Sequence, residues 1–98
     1  STWYHSGFGC GDSMEPNYQA GDVMIYTGEY QLIEKGDVVR YIDEDGNSIT
    51  HRVIDVDDDR EDPYLIKGDN NSHSDGWHDK DDIKGKLVTE LVNIRELC

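Results

Sequence analysis

Three short stretches of the chain hold residue types that together could carry out acyl transfer. The first is "GCGDSMEP" (9–16), where Ser13 sits between Asp12 and Met14 ahead of Pro16. A nucleophilic serine needs an exposed turn, a proton acceptor and donors for the oxyanion. Gly9 and Gly11 allow close backbone approach, Pro16 stiffens the exit, and the N–H groups around Ser13 are candidate oxyanion donors. The second stretch, "SITHRVIDV" (48–56), sets His51 in mid-strand as the candidate base. The third, "KGDNNSHSD" (67–75), supplies Asp69 and Asp75. A carboxylate facing a histidine fixes its tautomer and stabilises the imidazolium formed when serine gives up its proton. Each stretch also has an ordinary reading: a Gly-Asp-Ser turn, a half-exposed strand histidine, a solvated loop. The residues alone leave open which aspartate faces His51.

Metal chemistry is the weaker alternative. "HSDGWHD" (73–79) groups His73, Asp75, His78 and Asp79, but this spacing matches no established ligand rule. "DVDDDRED" and "DKDD" lack the spaced ligands and central glycine of a calcium loop. No metal and no cofactor is expected. Cys10 and Cys98 stand near opposite ends. They are compatible with a disulfide, which would indicate an extracytoplasmic setting, or with two free thiols.

The elements that must position these residues read as strands. Residues 1–12 are an irregular lead-in or short strand, and "DVMIY" (22–26) is a compact β-type run. "KGDVVRYI" (35–42), the tight-turn signal "DEDGN" (43–47) and "SITHRVIDV" (48–56) predict a β-hairpin over 37–56. In its second arm Ile49, His51, Val53 and Asp55 are expected on one face, with Thr50, Arg52, Ile54 and Val56 on the other. "PYLIKGD" (63–69) is another strand, and 70–82 a polar loop with room for one helical turn. Residues 83–94 form a final strand with Gly85 as a break point, against a helix over 87–97 as the competing reading. The sum is one mainly β domain, 1–98, of five or six short strands in an antiparallel arrangement.

Composition agrees with a thin core: 98 residues, 35% apolar, mean hydropathy −0.80. Fifteen Asp and seven Glu stand against five Lys and four Arg, a net charge of −13. No basic cluster exists to neutralise phosphates, so no nucleic acid partner is expected. Asp outnumbers Lys threefold, which favours a surface adapted to high salt and a fold that loosens in dilute buffer. A negative field favours a protonated imidazole, so activity is expected to rise as salt screens it. No apolar run approaches the ~20 residues of a membrane helix, and no signal peptide is visible. Ser1 in place of Met suggests a trimmed or processed end.

In order, "GDSMEPNYQAGDVMIY", "KGDVVRY", "THRVIDV", "LIKGDNNSHSD" and "IKGKLV" resemble the type I signal peptidases of the archaeal and endoplasmic-reticulum branch. The resemblance covers most of residues 11–88. It implies a mostly antiparallel β fold of the signal peptidase and LexA-like type. Ser13 matches the nucleophile in S-M-x-P, and His51 the histidine that replaces the bacterial lysine base. Asp75 matches the acidic residue closing the K-G-D-N-N block, and Asp69 the aspartate of Gly-Asp, in a supporting role. Gly11, Asp12 and Met14 fall where substrate would lie. Many relatives carry a serine two positions before the nucleophile, whose hydroxyl helps to hold the oxyanion; this chain has Gly11. Relatives also carry a membrane anchor, expected to be missing here.

The resemblance implies an endopeptidase that removes signal peptides from secretory preproteins, cutting after small residues. Its setting would be the extracytoplasmic face of the cell membrane, or an ER-type membrane, with the membrane surface reached through an anchor outside this chain. Two rivals stand beside it. LexA-like and phage-repressor self-cleaving domains share "GDSM", but they rely on a lysine where this chain has His51. A non-catalytic β domain could bind extended peptides by strand addition without cutting them.

Overall fold

The structure, a computed structural model, describes residues 4–8, 11–18, 22–27 and 32–93. Seven strands follow one another: β1 (Tyr4–Phe8), β2 (Asp22–Thr27), β3 (Val38–Ile42), β4 (Ser48–Val56), β5 (Tyr64–Lys67), β6 (Gly76–His78) and β7 (Ile83–Asn93). Their spatial order is β1-β2-β7-β3-β4-β5-β6, and every pairing is antiparallel. The described residues include no helix. This is the mainly β architecture expected, with more strands than the five or six anticipated.

β7 links two groups of strands. Its first residues pair with β3 (Val39↔Lys86, Arg40↔Gly85, Tyr41↔Ile83) and its later ones with β2, from Tyr26↔Leu87 to Asp22↔Asn93. Register shifts interrupt both ladders, and such irregularities bend a strand and increase its twist. One eleven-residue strand can thereby serve two partners. Gly85 lies within the β3 pairing and does not break β7. The competing helix over 87–97 is overturned for 87–93, which are strand.

The core gathers Ile33, Val39, Tyr41, Val53, Tyr64, Ile66 and Ile83, with Ile49 and Val56 packed against it. Val39, Val53 and Ile66 are fully buried. Removing a few such methyl groups costs about 2–5 kcal/mol, a large part of the stability of so small a domain. The hairpin forms as expected, from Val38↔Arg52 to Ile42↔Ser48, with Gly46 at φ 84° in its turn. The face assignment needs one correction. The β4–β5 register shifts between Val53 and Asp55, so Asp55 pairs with Leu65 and Val56 with Tyr64. The extra residue, Ile54, flips the alternation: Val56 joins the core and Asp55 is exposed.

Two further differences are local. The loop reading of 70–82 misses β6, which is only three residues long and closes the sheet through Leu65↔Trp77. The lead-in contains β1, paired along its length with β2. Cys10 and Cys98 lie outside the described residues.

Candidate active site

The turn carrying Ser13 connects β1 to β2. It is closed by Glu15 N–H donating to the Asp12 carbonyl (3.1 Å) and Tyr18 N–H to the Met14 carbonyl (3.0 Å). Met14 is 5% exposed, so its side chain anchors the turn from below. The loop after β5 grips the same turn from the other side. Asn70 N–H donates to the Ser13 carbonyl (2.6 Å), Asn70 Nδ2 to the Asp12 carbonyl (3.2 Å), and Asp69 N–H meets Met14 Sδ at 3.3 Å. Asn17 Nδ2 donates to Asp69 Oδ2 at 2.8 Å.

His51 projects from the core face of β4, opposite Val39 of β3, and is 8% exposed. Its Nε2 lies 2.8 Å from Ser13 Oγ. Its Nδ1 is hydrogen-bonded to Asp75 Oδ2. With Asp75 ionised, Nδ1–H donates to the carboxylate, leaving Nε2 to accept the serine proton. Asp75 precedes β6, and its own N–H donates to the Ile66 carbonyl at 2.7 Å. The Tyr41 hydroxyl donates to Asp75 Oδ2 at 2.6 Å. Burial alone would raise the Asp75 pKa. The hydrogen bonds from His51 and Tyr41, with the positive field of His51 and His78, outweigh it and hold the carboxyl below the ordinary aspartate range.

Asp69 contacts a different group. Arg52 grips it with two parallel bonds, Nε to Oδ1 at 2.9 Å and Nη2 to Oδ2 at 2.8 Å, while Nη1 donates to the Gly36 carbonyl at 2.7 Å. The fork geometry suits a carboxylate. The Arg52 hydrogen bonds, opposed by burial and aided by Asn17, hold Asp69 below its ordinary value of 3.8. The structure thus brings Asp75, and not Asp69, to His51; Asp69 ties the Ser13 turn to β4.

A depressed folded-state pKa means that the unfolded chain binds more protons in the acid range. The stabilisation is therefore complete above the unfolded value and is lost as pH falls through the folded one. Thermal unfolding followed from about pH 6 to about pH 2 should show a midpoint falling steeply below about pH 4. Asp69→Asn should start lower at neutral pH and fall less over that window. An equally steep fall in the variant would show that the Arg52 pair does not contribute the acid sensitivity.

Of the remaining expected site residues, Gly11 and Asp12 are exposed beside Ser13. A Cβ built on Gly11 meets nothing within 4 Å. Among the described residues, no acceptor takes the N–H of Ser13 or Met14. The Met14 side chain is interior. Sequence reasoning missed the parts played by Tyr41 and Arg52, and named His78 only within the weaker metal alternative. Period-two alternation already sets Tyr41 on the face of Val39 and His51. Its partner Asp75 depends on the fold of 68–75, which no periodicity reports. No group of three or more His, Cys, Asp or Glu among the described residues is arranged to hold a metal ion.

Fold and site together define an antiparallel β domain in which a serine, a histidine and a carboxylate form one hydrogen-bonded chain. No protein-family model matches the sequence. Over 68 residues the chain is 29% identical to signal peptidase I W of Bacillus subtilis (strain 168), a match covering 64% of this chain and 35% of that protein. Over 65 residues it is 42% identical to the signal peptidase complex catalytic subunit SEC11 of Yarrowia lipolytica (strain CLIB 122 / E 150), covering 64% of this chain and 38% of that one. The chain thus spans well under half the length of these curated relatives. Over 64% of its length the sequence is similar to signal peptidases.

Proposed function

We propose that this domain is a serine endopeptidase that removes signal peptides from exported preproteins, cutting after small residues. The observation that carries the reading is the 2.8 Å contact between Ser13 Oγ and His51 Nε2, with Asp75 bonded behind the ring. In the first step Ser13 Oγ attacks the scissile carbonyl carbon while His51 Nε2 takes its proton. The resulting oxyanion faces the Ser13 and Met14 N–H groups. His51 then returns the proton to the leaving amine, and the C–N bond breaks to give an acyl-enzyme. Water, deprotonated by the same nitrogen, releases the signal peptide's new carboxyl end and regenerates Ser13. An extended substrate added beside a strand presents alternate side chains to one face, which suits small residues at the first and third positions before the cut.

The base distinguishes this reading from the LexA-like one, since an imidazole rather than an amine meets the serine. The substrate class implies work at the extracytoplasmic face of a membrane. No helix among the described residues is long and apolar enough to cross one. The test is cleavage of a fluorogenic signal-peptide mimic with Ala at both specificity positions, in high salt and detergent. Comparing wild type with Ser13→Ala, His51→Ala and Asp75→Ala decides the roles, and wild-type cleavage that survives Ser13→Ala would overturn the mechanism.

The open space at Gly11 gives a second test. Its φ lies outside the left-handed region that favours glycine, so a serine there is sterically allowed. Gly11→Ser should raise kcat by about tenfold, less than the 10²–10³ commonly lost with a native oxyanion donor, because the added hydroxyl is not preorganised. Gly11→Ala should leave kcat unchanged. An equal rise in both variants would trace the effect to backbone stiffening.

A further inference from the structure

Asp75 is held at more points than an orienting carboxylate requires. Its N–H is bonded to Ile66, its carbonyl accepts from His78 Nε2 at 3.2 Å, and one carboxylate oxygen takes both His51 Nδ1–H and the Tyr41 hydroxyl. Tyr41 is itself fixed. It is 4% exposed in the core, its β3 backbone is paired on both sides, and its ring lies against His78 with centroids 4.6 Å apart. His78 in turn leans on Asp82, with Nδ1 3.5 Å from Oδ2. These contacts join the strand next to β4 to the loop bearing Asp75, so the carboxylate cannot rotate away from His51 without breaking a bond to the sheet.

We propose that Tyr41 is a positioning residue for the reaction, its hydroxyl pinning the Asp75 carboxylate against His51 Nδ1. The proposal rests on the peptidase reading for its rate effect, but not for its structural content. Burial first, and then the adjoining Asp75, keep the Tyr41 phenol protonated well above the ordinary tyrosine range, so it remains a donor at any working pH. A neutral donor suits the task. It holds the carboxylate ionised without placing a positive charge where the imidazolium must form.

Tyr41→Phe removes the hydroxyl and keeps the ring that packs on His78. In the peptide assay kcat should fall by about tenfold at unchanged KM, the scale of one charge-assisted hydrogen bond. By carbon-13 NMR of the protein, the Asp75 carboxyl should titrate at higher pH in the variant, because a bond to its charged form is gone. The far-downfield proton resonance of His51 Nδ1–H should move or broaden. Unchanged kcat with unchanged resonances would overturn the proposal, and so would a fall in kcat that merely follows a lower unfolding temperature with both resonances in place. A wild type that does not cut would overturn the peptidase reading, while the two resonances would still decide whether Tyr41 secures the Asp75–His51 pair.

Discussion

Ser13→Ala and His51→Ala are each expected to lower cleavage of the signal-peptide mimic by at least about 10⁴-fold, and Asp75→Ala by about tenfold less, in the manner of residues that act as one unit. The geometry sets this order. In the proposed mechanism Ser13 Oγ forms the new bond and the His51 nitrogen 2.8 Å away takes its proton, so losing either would remove the covalent route. Asp75 acts through the ring. Without it Nδ1 loses its acceptor, and the imidazole can adopt the tautomer that carries its proton on Nε2. A double variant, Ser13→Ala with His51→Ala, should be no worse than either single one, and additive losses would argue that the two act independently. KM should change little, because the loss expected is of transition-state stabilisation and not of uniform binding.

Gly68→Ala carries the next largest effect. Gly68 is buried where the loop after β5 passes the Ser13 turn, and a Cβ there would lie 2.9 Å from the Ser13 carbonyl oxygen and 2.7 Å from Asn71 Nδ2. Asn71 can swing aside, but the Ser13 carbonyl belongs to backbone already bonded to Asn70 N–H at 2.6 Å. The turn must therefore shift. A misplacement of about 1 Å in a reacting group costs about 10²-fold in rate, so kcat should fall on that scale. Because φ at Gly68 is outside the left-handed range, the loss is steric and not conformational. Stability should fall modestly, and a calorimetric scan beside the assay separates the two effects. Full activity in the variant would mean that the two loops yield to each other without cost.

Much of this arrangement was legible in the residues. The bounds of β4 are those of "SITHRVIDV", because β-branched residues flanked by an Asp-Gly-Asn turn and an acidic run leave little choice. Ser13 and His51 each have an ordinary reading alone, and it is their joint order with the K-G-D-N-N block that singles them out. Other features were hidden for physical reasons. β6 is too short to show alternation, and its Trp77 and His78 stand amid polar residues. The extra residue at Ile54 is visible only against β5, since a strand's own pattern cannot report its partner's register. The choice between Asp69 and Asp75 depended on Arg52, the neighbour of His51 on the opposite face of β4, which engages Asp69 through its fork.

β7 has a bearing on how such a domain comes into being. The β1–β2 ribbon, with Ser13 in its connection, and the β3–β6 meander, with His51 and Asp75, are each built from neighbours in sequence. Only the last described strand lies between them, and pairing Asp22 with Asn93 closes a span of most of the chain. Such distant closure is slow relative to local hairpins. On a ribosome the meander can assemble while the ribbon still lacks its flank, and β2 gains its second partner only once β7 has emerged. The order of synthesis thus leaves the joining of the two groups of strands until nearly all of the described residues have been made.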